Sequence, residues 1–431
     1  MDVTTVLIIV VFFSIVALMI FDKLNAILAL PLMAVLLSLV ARVPMLTITN
    51  TVVGGGLSVL AGTAITTIIA SLFGELIRRT GIAESIIRTA AELGGDNTYL
   101  VTIFCLLAVG FCYIGLNGAG ARIMLGLIIF PIMLSVGVPK TVAAHTLISG
   151  SFLGVFLNAA RWKFIQSLVD ADLAFIQRVA LMLLGPGIVF SVIMIIVGIK
   201  LKGKVYSWAA ESGEAPKKPK VPWYTMISPV VPLILILIST FITKNPVDVN
   251  TCFIISMLYV VLTTGGKNQF KGGQDLFTRS LHDALSNSAI QVGLFFGIGM
   301  LLNAAKLPEL LDPITGLINV IVPTSAVGVV LLFGLLGPFL TMYRGPLNPM
   351  GLGAAIAGIL ATSSIPLGVL VAMFWLYDYF VGVNDPTASQ VVWSTGYLEL
   401  PLKKYVLGVL PYNAAFVFVG MIIAVIRYML V

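Results

Sequence analysis

The sequence predicts an all-α polytopic membrane protein built from two inverted repeats of five transmembrane helices. Three observations carry that prediction. The first is composition: 59% of the 431 residues are hydrophobic and only 10% are charged, more apolar side chain than a water-soluble fold has interior to hold. The second is internal repetition, the signature of a duplicated unit. GELIRRTGIAESI (74–86) recurs as GMLLNAAKLPELL (299–311), and SVGVPKTVAAH (135–145) as TSSIPLGVLVA (362–372). LLGPGIVFSVIMIIVGIK (183–200) recurs as GVLPYNAAFVFVGMIIAVIR (408–427), so the three blocks keep their order at offsets of 225, 227 and 225. The third is that apolar spans are interrupted by polar, glycine-rich stretches at matching places in the two copies.

The elements follow in order, with residues 1–204 as the first repeat, 205–222 as a charged linker and 223–431 as the second repeat. Each copy opens with two full spans (4–21 and 25–41; 224–243 and 249–264). The first carries Asp2 in place of a basic start and lacks a small-residue cleavage pattern, so it reads as a retained helix. A two-armed segment comes next (47–80; 272–305). Its arms reach about two-thirds of the roughly 20 residues that a crossing helix needs. The second copy of this segment opens with GGQDLFTRSLHD, too polar for lipid. A re-entrant hairpin is therefore expected in each copy, with tips at Ala61-Gly62-Thr63 and Ser286-Asn287-Ser288. A long broken helix follows (99–136; 325–363), then a span running into polar residues (140–158; 365–382). An amphipathic connection and a closing span (179–199; 405–428) finish the unit. Five crossings per copy is an odd number, so the second copy must be inverted.

Charge sets the orientation and excludes other roles. The linker region holds Lys200, Lys202, Lys204, Lys217, Lys218 and Lys220; the positive-inside rule places it in the cytoplasm of an inner-membrane, multi-pass protein. That basic run is an ordinary loop signature, and no nucleic-acid partner is needed to explain it. Cys105, Cys112 and Cys252 all fall in apolar spans, an odd set that suits packing rather than disulfides.

The interruptions carry the functional signal. In LNGAGAR (116–122), Asn117, Gly118 and Arg122 break one apolar run; Tyr343, Arg344, Gly345 and Asn348 break its counterpart. Unwound backbone at membrane depth survives only where protein or a wet cavity satisfies it. Each break also starts a half-helix whose free amides present about half a positive charge. Arg122 and Arg344 would repel those ends unless an anion joined them, and a central arginine costs about 2.5–3.5 kcal/mol on insertion scales. A small organic anion is the natural missing partner. For Arg122 the alternative is a structural pairing.

With its two polar tripeptides and two breaks, the chain resembles the ion transporter superfamily, which includes divalent anion–sodium symporters, gluconate permeases and the large subunits of tripartite transporters. Ser286-Asn287-Ser288 is close to the Ser-Asn-Thr tripeptide that holds substrate carboxylates in the symporters, and Gly62-Thr63 keeps only its threonine. FGELIRRTGIAESI (73–86) looks like the hairpin-to-helix turn of the tripartite large subunits, and residues 113–139 resemble a gluconate permease region in layout. The resemblance implies substrate contacts at Gly62, Thr63, Ser286, Asn287 and Ser288, a homodimeric scaffold, and a transport unit moving as an elevator.

Sodium or a proton is the expected coupling ion, and no other cofactor is called for. Asn158, Asn384, Asp385 and Thr387 supply oxygens where the post-break spans end, although Asn-Asp-Pro-Thr is equally a common turn and cap sequence. Asp378, in FWLYDYF, is the clearest acid inside a span and suits proton carriage or a pairing with Arg122 or Arg344. His145 reads as a satisfied core residue, and Arg161 and Lys163 read as interfacial. No Walker-type loop, HExxH motif or Cys/His cluster at metal spacing occurs, which argues against an enzyme or an ATP-driven pump. The expectation is a cation-coupled symporter of a carboxylate or sugar acid. A sodium/proton antiporter and a membrane subunit fed by a periplasmic binding protein stay open as alternatives.

Overall fold

Hydrophobic runs with buried backbone polarity can only close their hydrogen bonds as helices in lipid, and the described residues are helical with no strand. The structure is a computed structural model. It describes residues 3–21, 23–169, 171–203, 221–239, 247–264, 273–310, 322–343, 345–361, 363 and 365–430. The expected linker 205–222 lies almost entirely outside that set, as does Arg344.

The first copy runs α1 (Val3–Ile20), α2 (Ala26–Val40), α3 (Gly56–Arg79), α4 (Ile82–Gly94), α5 (Thr98–Tyr113), α6 (Gly118–Ser135), α7 (Lys140–Val155), α8 (Ala159–Val169) and α9 (Leu173–Lys202). The second runs α10 (Val231–Leu237), α11 (Val249–Thr264), α12 (Gly273–Ala305), α13 (Ala326–Thr341), α14 (Leu352–Leu360), α15 (Leu367–Asn384), α16 (Ser389–Tyr397) and α17 (Leu402–Val425). Among the described residues α2, α3 and α5–α9 match α11–α17 in order at offsets near those of the sequence blocks, and α4 has no described counterpart. Five helices among the described residues are long and apolar enough to cross a membrane, and the pair α7–α8, bent by 62°, makes a sixth.

Two sequence expectations exchange places. The two-armed segments are not hairpins. Helix continues from Met45 to Arg79, through Ala61-Gly62-Thr63, and α12 runs unbroken through Ser286-Asn287-Ser288. Short hydroxyl side chains do not stop a helix when they bond back to its own carbonyls; Thr66 Oγ1 donates to Gly62 O and Ser288 Oγ to Ala284 O. At about 1.5 Å per residue α12 is roughly 50 Å long, so its polar N-terminal turns can project beyond a hydrocarbon core of about 30 Å.

The hairpin is instead the segment expected to be one broken span. Thr98 Oγ1, at the start of α5, donates to Val136 O just past the end of α6, at 2.7 Å. In a continuous helix those residues would stand some 55 Å apart at about 1.5 Å per residue. The two arms therefore lie antiparallel, with LNGAGAR at the turn. Glycine packing fixes the arrangement: a Cβ on Gly154 would overlap the Gly110 carbonyl, and one on Gly150 would sit 2.7 Å from Leu106 O. Small residues at such a contact let helix backbones approach. The pairing 106 with 150 and 110 with 154 also makes α5 parallel to α7, as a hairpin requires. In the first copy the segment that folds back is thus 98–136 and not 47–80.

Equivalent helices of the two copies pack on each other in opposite directions. On α3 and α12, Gly56 meets Gly299 while Arg79 meets Asp283. On α9 and α17, Leu183 meets Gly420 and Gly187 meets Phe416. Cys105, Cys112 and Cys252 are free and buried, as the composition suggests.

Candidate functional site

Helix ends leave unpaired amides and carbonyls, and two such ends meet at Asn158. Its amide nitrogen lies 3.2, 3.1 and 3.2 Å from the carbonyls of Tyr113, Ile114 and Leu116, the last of α5 and the turn after it. Its oxygen accepts from the Ala160 and Arg161 amides at 3.1 and 3.3 Å, capping α8. One buried side chain thus ties the hairpin turn to the bend after α7. Its oxygen is engaged by protein donors rather than left free for a coupling ion.

Asn117 caps the second arm, accepting from Gly118 N at 2.9 Å. Gly118 has φ +84°, a left-handed conformation that a side chain resists. The turn nests between α3 and α12: a Cβ on Gly74 would stand 3.5 Å from Asn117 N, and one on Gly120 3.4 Å from the Asn287 amide. On one side of the turn opens a small cleft of ≈ 10 Å³, lined by Thr67, Asn117, Asn158, Arg161 and Gln291, among others. The N-terminal ends of α6 and α8 and the C-terminal ends of α5 and α7 all reach it, so the helix dipoles largely offset one another and the side chains set the local charge.

Among the described residues Arg161 is the charged group that lines this cleft; Asp378 pairs with it, and Arg122 acts on Asp378 electrostatically. Arg161 Nε lies 3.2 Å from Asp378 Oδ2 on α15, and its Nη1 rests 2.9 Å from the Met350 sulfur, a weak acceptor. Met350 follows Asn348, whose side-chain oxygen accepts the Met350 amide at 3.0 Å. The second interruption therefore reaches the first through Arg161. Arg122 is 9% exposed. Its Nε donates to Ser151 Oγ at 2.9 Å, and its guanidinium lies 5.0 and 4.6 Å from the Tyr113 and Phe152 ring centres. Facing ring π-systems stabilise a cation. Among the described residues no carboxylate lies within ion-pair distance of Arg122.

The other expected site residues divide. Asn287 meets the hairpin turn and donates to Glu75 Oε1 at 3.0 Å. Ser286 is exposed, and Ser288 is bonded within its helix. Thr63 donates to Ser167 Oγ on α8 at 3.1 Å, one turn from the cleft-lining Thr67, while Gly62 faces open space. Tyr343 is half-exposed with φ +52°, and Gly345 N donates to Met342 O. Asn384, Asp385 and Thr387 stand apart from Asp378. Asp385 Oδ1 accepts from the Thr387 amide and hydroxyl at 2.8 Å, the cap alternative, and Asn384 Oδ1 accepts from Asn413 at 3.1 Å. Asn413 in turn joins Tyr379, Ser149 and Ser191 in a buried polar network. His145 is buried, but neither ring nitrogen has a hydrogen-bond partner among the described residues.

Sequence reasoning missed Arg161, Thr67, Gln291 and Glu75. Arg161 was readable as interfacial because it follows a polar break and precedes Lys163. Its adjacency to Asn158 was the available signal. Among the described residues no group of three or more His, Cys, Asp or Glu is arranged to hold a metal.

No family model and no curated protein matches the sequence. Among solved structures, the chain is similar to the YdaH transporter of Alcanivorax borkumensis, described as having an unusual topology. The TM-score is 0.60 over 88% of this chain and 87% of that one, at 14% identity. The likeness is one of fold.

Proposed function

We propose that this protein is a multi-pass inner-membrane secondary transporter that carries a small organic anion, such as a carboxylate or sugar acid, with a coupling cation. The observation that carries the reading is the cleft where the hairpin turn, the bend at Asn158 and Arg161 converge. Among the described residues two guanidiniums, Arg161 and Arg122, act on a single carboxylate, Asp378, a deficit of negative charge that an anion fills. The fold shared with the YdaH transporter supports carriage across the membrane.

Antiparallel packing of α3 on α12 and of α9 on α17 supports inverted repeats over 1–204 and 223–431. Residues of both copies surround the cleft, as a midplane site between repeats requires. The homodimer and the elevator motion rest on the superfamily resemblance.

The test is uptake by purified protein in liposomes. A panel of labelled small carboxylates and sugar acids is offered under an imposed proton or sodium gradient. At least one should accumulate above its external concentration, and dissipating the gradient should abolish accumulation. Uptake of none, or uptake indifferent to every gradient, contradicts the reading. A sodium/proton antiporter would instead exchange cations without any organic anion and would tolerate Arg161→Ala.

A further inference from the structure

A guanidinium is most stable with a coplanar oxyanion receiving two parallel hydrogen bonds. Arg161 has no such partner among the described residues. Asp378 Oδ2 stands 3.2 Å from its Nε but is not aligned as a hydrogen bond, and that buried oxygen has no other hydrogen-bond partner among the described residues. The neighbouring Nη1 meets only the Met350 thioether. The pair bridges the two copies, α8 to α15, at the wall of the cleft.

Building on the anion-carrier reading, we infer that Arg161 is the group that grips the transported anion, that Asp378 is its resident counter-ion, and that the two exchange. The incoming oxyanion takes over the Arg161 guanidinium, and Asp378, losing its cation, takes one proton from solvent to become a neutral carboxylic acid. Arg161 stays protonated and the anion keeps its charge, so one monoanion and one proton enter together. A buried carboxylate stripped of its partner is strongly unfavourable unless it neutralises. Arg122 does not take over the role, because Ser151 and the Tyr113 and Phe152 rings hold it at its own place.

Among the described residues the charged groups acting on Asp378 are Arg161 from α8 and Arg122 from α6. Of the other ionisable groups on helices packed around α15, Lys140 pairs with Glu399, Tyr405 donates to the Val383 carbonyl, and His145 lies buried on α7. The oxygens otherwise suited to sodium are engaged: Asn158 by backbone amides, Asn384 by Asn413, and Asp385 by Thr387. That leaves the proton as the ion this cleft can pair with an anion.

Formate, the smallest planar carboxylate, is the probe. Full-length wild type, Asp378→Asn and the charge-neutral double variant Arg161→Gln/Asp378→Asn are titrated calorimetrically at constant ionic strength, in two buffers of different ionisation enthalpy. Removing the resident competitor should tighten formate binding at least tenfold in Asp378→Asn. Wild type should take up about one proton per formate and Asp378→Asn none, so wild-type affinity falls tenfold per pH unit above neutrality while the variant's stays flat. The double variant should bind no formate, and its normal melting behaviour would show that it is folded.

Failure of Asp378→Asn to bind formate overturns the assignment of Arg161. Equal affinity in wild type and Asp378→Asn, or binding to wild type without proton uptake, overturns the exchange. Liposome uptake separates this inference from the broader one. Gradient-driven uptake with no proton taken up on binding leaves a carrier and removes the exchange. Proton-linked formate binding by a protein that moves no anion keeps the grip and removes the carrier.

Discussion

Two charged clusters flank the hairpin turn, and they are built in opposite ways. Between α3 and α12, Glu75 and Asp283 meet Arg78 and Arg79: two acids for two bases, with Arg78 2.6 Å from Glu75 and 3.2 Å from Asp283, and Arg79 bonded to Asp283. Glu75 also accepts from Asn287, so its oxygens are occupied. Among the described residues, Arg122 and Arg161 act on one acid, Asp378, and the Arg161–Asp378 ion pair is poorly aligned. The first cluster is balanced in charge, and the atom left over there is a donor, the buried Arg79 Nε; in the second, unbalanced cluster it is an acceptor, Asp378 Oδ2. The difference lies in charge balance and in which kind of atom is left over, since both clusters hold the same residue types.

The comparison is easiest to break at its largest expected effect. Arg161→Ala should lower anion uptake in liposomes at least a hundredfold while the protein still inserts and elutes as wild type does. Normal uptake would place the grip elsewhere. Asn158→Ala comes next, because it strands helix-end carbonyls and amides together. A loss of about 2–4 kcal/mol in unfolding free energy is expected, with uptake lost alongside. Asp283→Asn, in the balanced and one-third exposed cluster, should cost only about 0.5–1 kcal/mol after solvent screening and leave uptake within twofold. Ser286→Ala, on the exposed face of α12, should change stability by less than about 0.5 kcal/mol and leave uptake unchanged. Strong inhibition by either of the last two would mean that the outer cluster also handles substrate.

The order of helices was legible because three blocks keep one spacing, and α2, α3 and α5 to α9 run in the same order as α11 to α17. Polar breaks were legible as places where backbone leaves the helix. What could not be read was which segment folds back. Ala61-Gly62-Thr63 looks like a turn in sequence, yet its neighbourhood can satisfy hydroxyls inside a helix, as Thr66 does. The 99–136 run looks like one span, yet the bond from Thr98 to Val136 and the Gly110–Gly154 contact exist only between elements. Periodicity reports what a residue wants to bury and not which helix buries it. Asp378 was legible as an acid inside a span, whereas its partner Arg161 needed the 62° bend at Asn158 to carry it inward.

The central claim is that the cleft between the copies is an anion site made by Arg161. It is tested most directly by thiol labelling at Gln291→Cys, against Ser286→Cys five residues earlier on the same helix. The native Cys105, Cys112 and Cys252 are buried and give little background. An anionic sulfonate-bearing methanethiosulfonate and its cationic ammonium counterpart are compared at each position. The account predicts that the anionic-to-cationic rate ratio is at least tenfold higher at 291 than at 286, and that adding Arg161→Gln erases the excess. Equal ratios at the two positions, or an excess untouched by Arg161→Gln, would contradict it.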